Sequence, residues 1–278
     1  MLPEIQPEKS PPLPPLRPLE GRRALGVSLS ALKMPTLPER IAWAKNVGFT
    51  GIELLATGEP WGLHAPGVRR EERERLREAL APFAALAVQA PYKETFDVTL
   101  ASPSAAIRRA SVSEIWSVCR FVDALGGGVV LVRAGSPPPG VAEDQERQFV
   151  AECLTTLDRM AGSHNARIAI TNHDLFARVD NFRLLDLLSL RHTGISLEIG
   201  GTTDLSAFLQ QNVARIFHVR APAAPGVDES IAAPLRTTEF RGMVCLTGGQ
   251  PPRGKSQRAA SPEQVLQARR VWEDALND

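Results

Sequence analysis

The chain has 278 residues, with 32 basic against 31 acidic side chains, five histidines and a formal net charge of +1. A balance this close to neutral argues against a general nucleic-acid binder, which is markedly basic. A composition of 43% apolar and 23% charged residues suits a chain that buries a large core and is not disordered as a whole.

No window holds the ~18 continuous apolar residues of a membrane helix. The opening MLPEIQPEKSPPLPPL lacks the basic-then-apolar order of a secretory signal. Residues 1–21 carry seven prolines and no apolar periodicity, so they read as an extended tail, either plainly solvated or a docking arm for a protein partner. Cys119, Cys153 and Cys245 are far apart, each in an apolar stretch and outside any CxxC motif. They read as buried reduced thiols, with no zinc cluster, and point to a cytoplasmic protein.

From residue 22 onward, short Val/Ile/Leu-rich runs alternate with longer helical patterns. Strands are expected near 24–30, 51–55, 86–90, 128–133, 167–171, 194–198, 214–220 and 243–247. Runs this continuously apolar fit parallel strands covered on both faces. Between them, Thr36-Leu37-Pro38-Glu39 is a capping box opening a helix that buries Ile41, Ala44 and Val47. Residues 69–83 (REERERLRE within them) form a solvated helix with a thin apolar stripe. Ser102-Pro103 offers a cap and a first-turn proline ahead of a helix with Ile115, Val118, Cys119, Val122 and Leu125 inward. Further helices are read at 143–161, 180–190 and after Ser261-Pro262, and shorter ones in 203–211 and 228–240. Eight strands alternating with seven or eight helices over ~250 residues is the arithmetic of a (β/α)₈ TIM barrel, a single domain over 22–278. A doubly wound sheet is the alternative, but the first strand runs into Ser28-Leu29-Ser30-Ala31 with no GxGxxG.

Several segments together resemble the xylose isomerase-like barrels, the superfamily of sugar phosphate isomerases and epimerases, hydroxypyruvate isomerases, inosose dehydratases and endonuclease IV. LPERIAWAKNVGFTGIELL is similar to its opening helix, glycine turn and strand ending in Glu-Leu. VQAPY with LAS is similar to "HAPY … NLAS", LGGGVVLVRAG to "LGA…VVVHPG" and IAITNHD to "LALENH". GISLEIGG is similar to "GLCLDVGH", IFHVRAP to "IHHVHLKD" and FRGMVCLTG to "YDGPLVLET".

The resemblance implies a divalent metal at the C-terminal mouth of the barrel. Its ligands would be a Glu after strand five, an Asp after strand six, a His after strand seven and a Glu after strand eight. The matching positions here hold Thr171, Glu198, Arg220 and Thr247, and the extra histidines of multinuclear members match Gln89 and Arg133. A guanidinium in the ligand shell repels a divalent ion, so no metal and no other cofactor is expected at this mouth.

Glu53, Gln89, Arg133, Thr171, Glu198, Arg220 and Thr247 should then share one mouth. Arg133 and Arg220, from different sides of the barrel, would clamp a small anionic metabolite of sugar or keto-acid type. Glu198 or Glu53 would move a proton. Asn172, His64 (in a loop with Trp61) and Lys93 are further ligand-binding candidates, and Arg253, Lys255 and Arg258 form a cationic stretch after strand eight. The competing reading closes each arginine onto Glu53 or Glu198 and leaves a pseudoenzyme, a scaffold or partner subunit. His173 with Asp174 could be a general base with an orienting carboxylate, but adjacent residues on a strand end should point apart, which favours a loop-capping role. His218 should lie one layer below Arg220 as a satisfied core histidine. His164, His192 and Gly126–Gly128 belong at the barrel bottom. Barrels of the resembled family often dimerise, so a homodimer is a further expectation.

Overall fold

A computed structural model describes residues 23–56, 63–92, 98–199, 206–223, 229–237, 240–248 and 260–277. The tail 1–21, Trp61, Lys93 and the cationic stretch with Arg253, Lys255 and Arg258 lie outside these residues.

Eight strands are present: β1 (Ala24–Ser28), β2 (Gly51–Leu55), β3 (Ala85–Gln89), β4 (Gly128–Val132), β5 (Ala166–Thr171), β6 (Thr193–Glu198), β7 (Ile216–Pro222) and β8 (Met243–Thr247). All pair in parallel, in chain order, and β8 closes back onto β1, where Leu25 faces Val244. This is a (β/α)₈ barrel. The helices described around it are α1 (Leu37–Asn46), α2 (Arg70–Leu80), α3 (Ala105–Ala124), α4 (Glu143–Ala161), α5 (Arg183–Leu187), α6 (Ser206–Asn212), α7 (Glu229–Thr237) and α8 (Pro262–Asn277). None of them is long and apolar enough to cross a membrane.

The local signals explain most boundaries. Thr36 and Glu39 form the reciprocal capping box that starts α1. α3 starts later than its sequence suggests. Ser104, not Ser102, accepts the hydrogen bond from the Ile107 amide, while Ser102 accepts from the Ser104 amide and so shapes the approach. The stretch 180–190 is mostly 3₁₀ turns ahead of the short α5.

Helix and outward strand residues form one large apolar shell. Inside the barrel a second, smaller cluster holds Ala24, Ala87, Leu131, Ala169, Met243 and Cys245. Its floor is built on glycine. A Cβ on Gly51 would stand 2.3 Å from the Met243 sulfur, and one on Gly194 would stand 2.5 Å from the Phe217 ring. These glycines let two large side chains plug the bottom, and Arg167 stacks on Phe217 at 5.2 Å.

One irregularity matters for the site. β6 and β7 pair Ile195 with Ile216 but Ser196 with His218. The bulge leaves Phe217 as an extra residue, so Phe217 and His218 both face the barrel axis although they are consecutive.

Candidate functional site

Each strand delivers every second residue to the axis. The register places Glu53, Gln89, Thr171, Glu198, Arg220 and Thr247 on the inward set, above Ala87, Ala169, Ser196, His218 and Cys245. Arg133 follows on from β4 in the same phase as Leu131.

Three of these residues meet directly and, with His173, form a descending line from solvent to core. His173 Nε2 lies 2.8 Å from Glu198 Oε2. Arg220 contacts that same oxygen through Nη1 at 3.3 Å and reaches Glu53 Oε1 through Nη2 at 3.2 Å. Side-chain exposure falls along the line from 36% at His173 through 25% at Glu198 and 12% at Arg220 to 2% at Glu53. Below Glu53, His218 is fully buried, with Nδ1 3.0 Å from Ser196 Oγ and Nε2 3.4 Å from Glu53 Oε2.

The electrostatics follow from this packing. Burial alone would push the Glu198 carboxyl up. The His173 hydrogen bond, then Arg220, His173 and Arg133, pull it down to about 2. Glu198 is therefore a fixed anion at neutral pH. Burial, with a further push from Arg220, lowers His218 to about 3 and keeps it neutral. Burial works against the Arg220 charge, but Glu53 and Glu198 more than offset it and raise its pKa further.

Arg133 approaches the same mouth from β4. Its guanidinium stacks on Tyr92 at 4.9 Å and lies 3.6 Å from Asp174. Asp174 also accepts from the Gly135 amide and the Ser136 hydroxyl, each at 3.0 Å. It does so from a left-handed backbone, φ 54. That turn sends His173 toward β6 and Asp174 toward β4, so the two do not pair.

The remaining candidates are held by the barrel itself. The Asn172 amide pairs with the backbone of Glu198, donating to its carbonyl at 3.1 Å and accepting from its N–H at 2.7 Å. It positions Glu198 by extending the β5–β6 ladder. Gln89 donates to the carbonyls of Ala90 and Leu131. Thr171 donates to Val132 and Thr247 to Ala221. His64 stands 3.5 Å from Glu114 on α3, on the outer wall. Lys93 lies outside the described residues. His164 sits at the bottom, between Asp123 and Trp116.

Sequence reasoning weighed His173 with Asp174 as a base and its orienting carboxylate and set the pair aside, and it assigned no site role to Tyr92, Ser196 or Cys245. His173 and Asp174 carried a signal, two titratable residues right after β5. Tyr92 and Ser196 carried none.

The model for the xylose isomerase-like TIM barrel matches residues 41–245. The chain belongs to that family. Solved structures share the fold at low identity. A D-psicose 3-epimerase determined in the presence of D-fructose superposes with a TM-score of 0.74 at 15% identity, over 92% of this chain and 100% of that one. The 3-keto-D-glucoside 4-epimerase of E. coli gives 0.73 at 15% identity, over 91% and 100%. A D-tagatose 3-epimerase-like protein gives 0.71 at 16% identity, over 91% and 97%. No curated protein matches the chain.

Proposed function

We propose that this barrel binds a small anionic sugar-like or keto-acid metabolite at its C-terminal mouth, and that any proton transfer there is metal-independent. The observation that carries the reading is that Arg220 lies 3.3 Å from the Glu198 carboxylate, while Arg133, from a strand on a different side of the barrel, stands at the same mouth against Tyr92 and Asp174. Two guanidinium groups at one mouth suit a carboxylate, a phosphate or a developing enediolate. The sugar epimerases among the structural neighbours fit a small metabolite ligand.

The family resemblance implies a divalent ion at this level of the barrel, and the residues here do not suit one. Of the strand-end positions Thr171, Glu198, Arg220 and Thr247, only one is a carboxylate, and that carboxylate already holds a guanidinium at 3.3 Å. Both threonine hydroxyls donate into strand carbonyls. No step is assigned to a metal at the mouth.

The roles divide by charge state. Glu198 stays ionised far below neutral pH, so it is a poor proton acceptor and a good anchor. His173, bonded to it and the most exposed member of the line, is suited to carry a proton to and from a ligand. Glu53 holds Arg220 from below. Gln89, Thr171, Thr247 and Asn172 shape the wall. A non-catalytic barrel is the second reading, favoured by the double pairing of Arg220 with Glu53 and Glu198.

Thermal-shift screening against sugar phosphates and keto acids tests the proposal. A ligand at 100-fold over its Kd adds about 2.7 kcal/mol, and that gain should vanish in Arg133→Ala. No stabilisation by any compound of these classes would overturn the reading. Turnover of a stabilising compound, lost in His173→Gln while binding persists, separates enzyme from binding protein.

A further inference from the structure

At the base of the mouth, Glu53 from β2, with His218 from β7 and Cys245 from β8 one layer below it, bring a carboxylate oxygen, an imidazole nitrogen and a thiol sulfur within 4.8 Å of one another. All three are buried, at 1%, 0% and 0% exposure. His218 Nε2 has no hydrogen-bond partner among the described residues, and it stands 3.4 Å from Glu53 Oε2, the oxygen that the Arg220 guanidinium meets through Nε at 3.2 Å. A fully buried imidazole nitrogen left without a hydrogen bond is rare and calls for a partner.

We infer that Glu53, His218 and Cys245 form a binding site for a single zinc-class divalent ion, distinct from the mouth above it.

The geometry suits that ion. Around tetrahedral zinc, with bonds of about 2.0–2.3 Å, neighbouring donors lie roughly 3.3–3.6 Å apart. The imidazole–carboxylate spacing of 3.4 Å is already such an edge. The imidazole is oriented by Ser196 Oγ at Nδ1, 3.0 Å away, which leaves Nε2 aimed at the cluster. Metal-ligating histidines are commonly fixed through their second nitrogen in this way. A mixed sulfur, nitrogen and oxygen donor set favours zinc over the hard oxygen-seeking cations.

Charge arithmetic answers the nearby guanidinium. Glu53 and Glu198 carry two negative charges against the one positive charge of Arg220, which leaves a buried excess of one. A divalent ion that displaces the thiol proton adds two positive charges and uncovers one negative. The cluster then sums to zero, which lowers the cost of burying it. The β6–β7 bulge is the device that brings His218 into this layer while Phe217 still seals the floor.

The test uses the full chain, stripped with a chelator and titrated with Co²⁺ as a spectroscopic stand-in for Zn²⁺. One equivalent should bind with the intense visible bands of a tetrahedral ion and a near-ultraviolet thiolate-to-cobalt band, and Zn²⁺ should displace it. Cys245→Ser should abolish the thiolate band, whereas Cys119→Ser and Cys153→Ser should keep it. Ser196→Ala should keep the spectrum and weaken affinity roughly 10–100-fold. Folding of each variant is checked by circular dichroism. If folded wild-type protein takes up no Co²⁺, or binds it without a thiolate band, the site does not exist. Because the readout is metal uptake, this result stands or falls separately from ligand binding at the mouth.

Discussion

Replacing Arg220 with methionine keeps the length of the stem and removes the one guanidinium that holds Glu53 and Glu198. Arg220 reaches Glu198 at 3.3 Å and Glu53 at 3.2 Å, and Glu53 is 1% exposed. Deleting one partner of a buried ion pair costs about 3–5 kcal/mol, because the other charge stays behind without compensation. His173 remains to partner Glu198, so the cost falls mainly on Glu53 and belongs in that range, not at twice its value. For a chain of this size each kcal/mol lowers Tm by about 2–4 °C, which gives a fall of roughly 6–20 °C.

The loss should depend on pH in one direction. In Arg220→Met the buried charge of Glu53 has lost the guanidinium beside it, so protonation relieves the penalty. The penalty is then full at high pH and disappears as pH falls and the carboxyls protonate. Urea unfolding of wild type and variant at about pH 8 and about pH 4 measures both parts, the larger difference belonging to the higher pH. A loss below about 1 kcal/mol, or an equal loss at the two pH values, would refute the claim that Arg220 neutralises a buried carboxylate.

Two other outcomes follow from the same geometry. Glu198 sits at about 2 when folded against an ordinary 4.5. It therefore contributes stability above pH ~4.5, on the order of 3 kcal/mol, that is lost as pH falls toward 2. Glu198→Gln should be less stable at neutral pH and should flatten that acid limb in a urea series. His218 acts earlier: it is neutral when folded, with its pKa at about 3 against an ordinary 6.5, so acidification destabilises the protein from about pH 6.5 downward. On the barrel floor, Gly51→Ala sets a Cβ 2.3 Å from the Met243 sulfur. Overpacking of this kind costs about 1–3 kcal/mol, and the double variant Gly51→Ala, Met243→Ala should recover part of the loss in thermal denaturation. A Gly51→Ala protein as stable as wild type would show that the floor is looser than described.

The barrel was legible because its strands are continuous apolar runs of the right length, and because the alternation of side chains carries no ambiguity once a strand is placed. Glu53, Glu198 and Arg220 could be set at one mouth from that parity alone. The pairing of Arg220 with Glu53 and Glu198 was expected too; the part of His173 was not. His173 meets Glu198 because Asp174 takes a left-handed turn and is anchored by Gly135 and Ser136 on the neighbouring strand end. Asn, His and Asp all tolerate a left-handed backbone better than most residues, so local preference does not single out Asp174 among the three. His218 was anticipated beneath Arg220, but as a satisfied core residue. Its orphaned Nε2 depends on a bulge between β6 and β7, and so on a register between two strands far apart in the chain.

Cys245 shows the same limit from the chemical side. Within MVCLT it reads as one more small apolar residue, and its spacing to the other cysteines excludes a zinc motif built from adjacent ligands. The closed barrel removes that exclusion. β8 pairs with β7, and β2 lies two strands on through β1, so residues separated by most of the sequence come within one ligand shell. Short-range spacing is therefore a sound test for metal sites on loops and hairpins. It cannot test sites inside a parallel barrel, where every donor comes from a different strand.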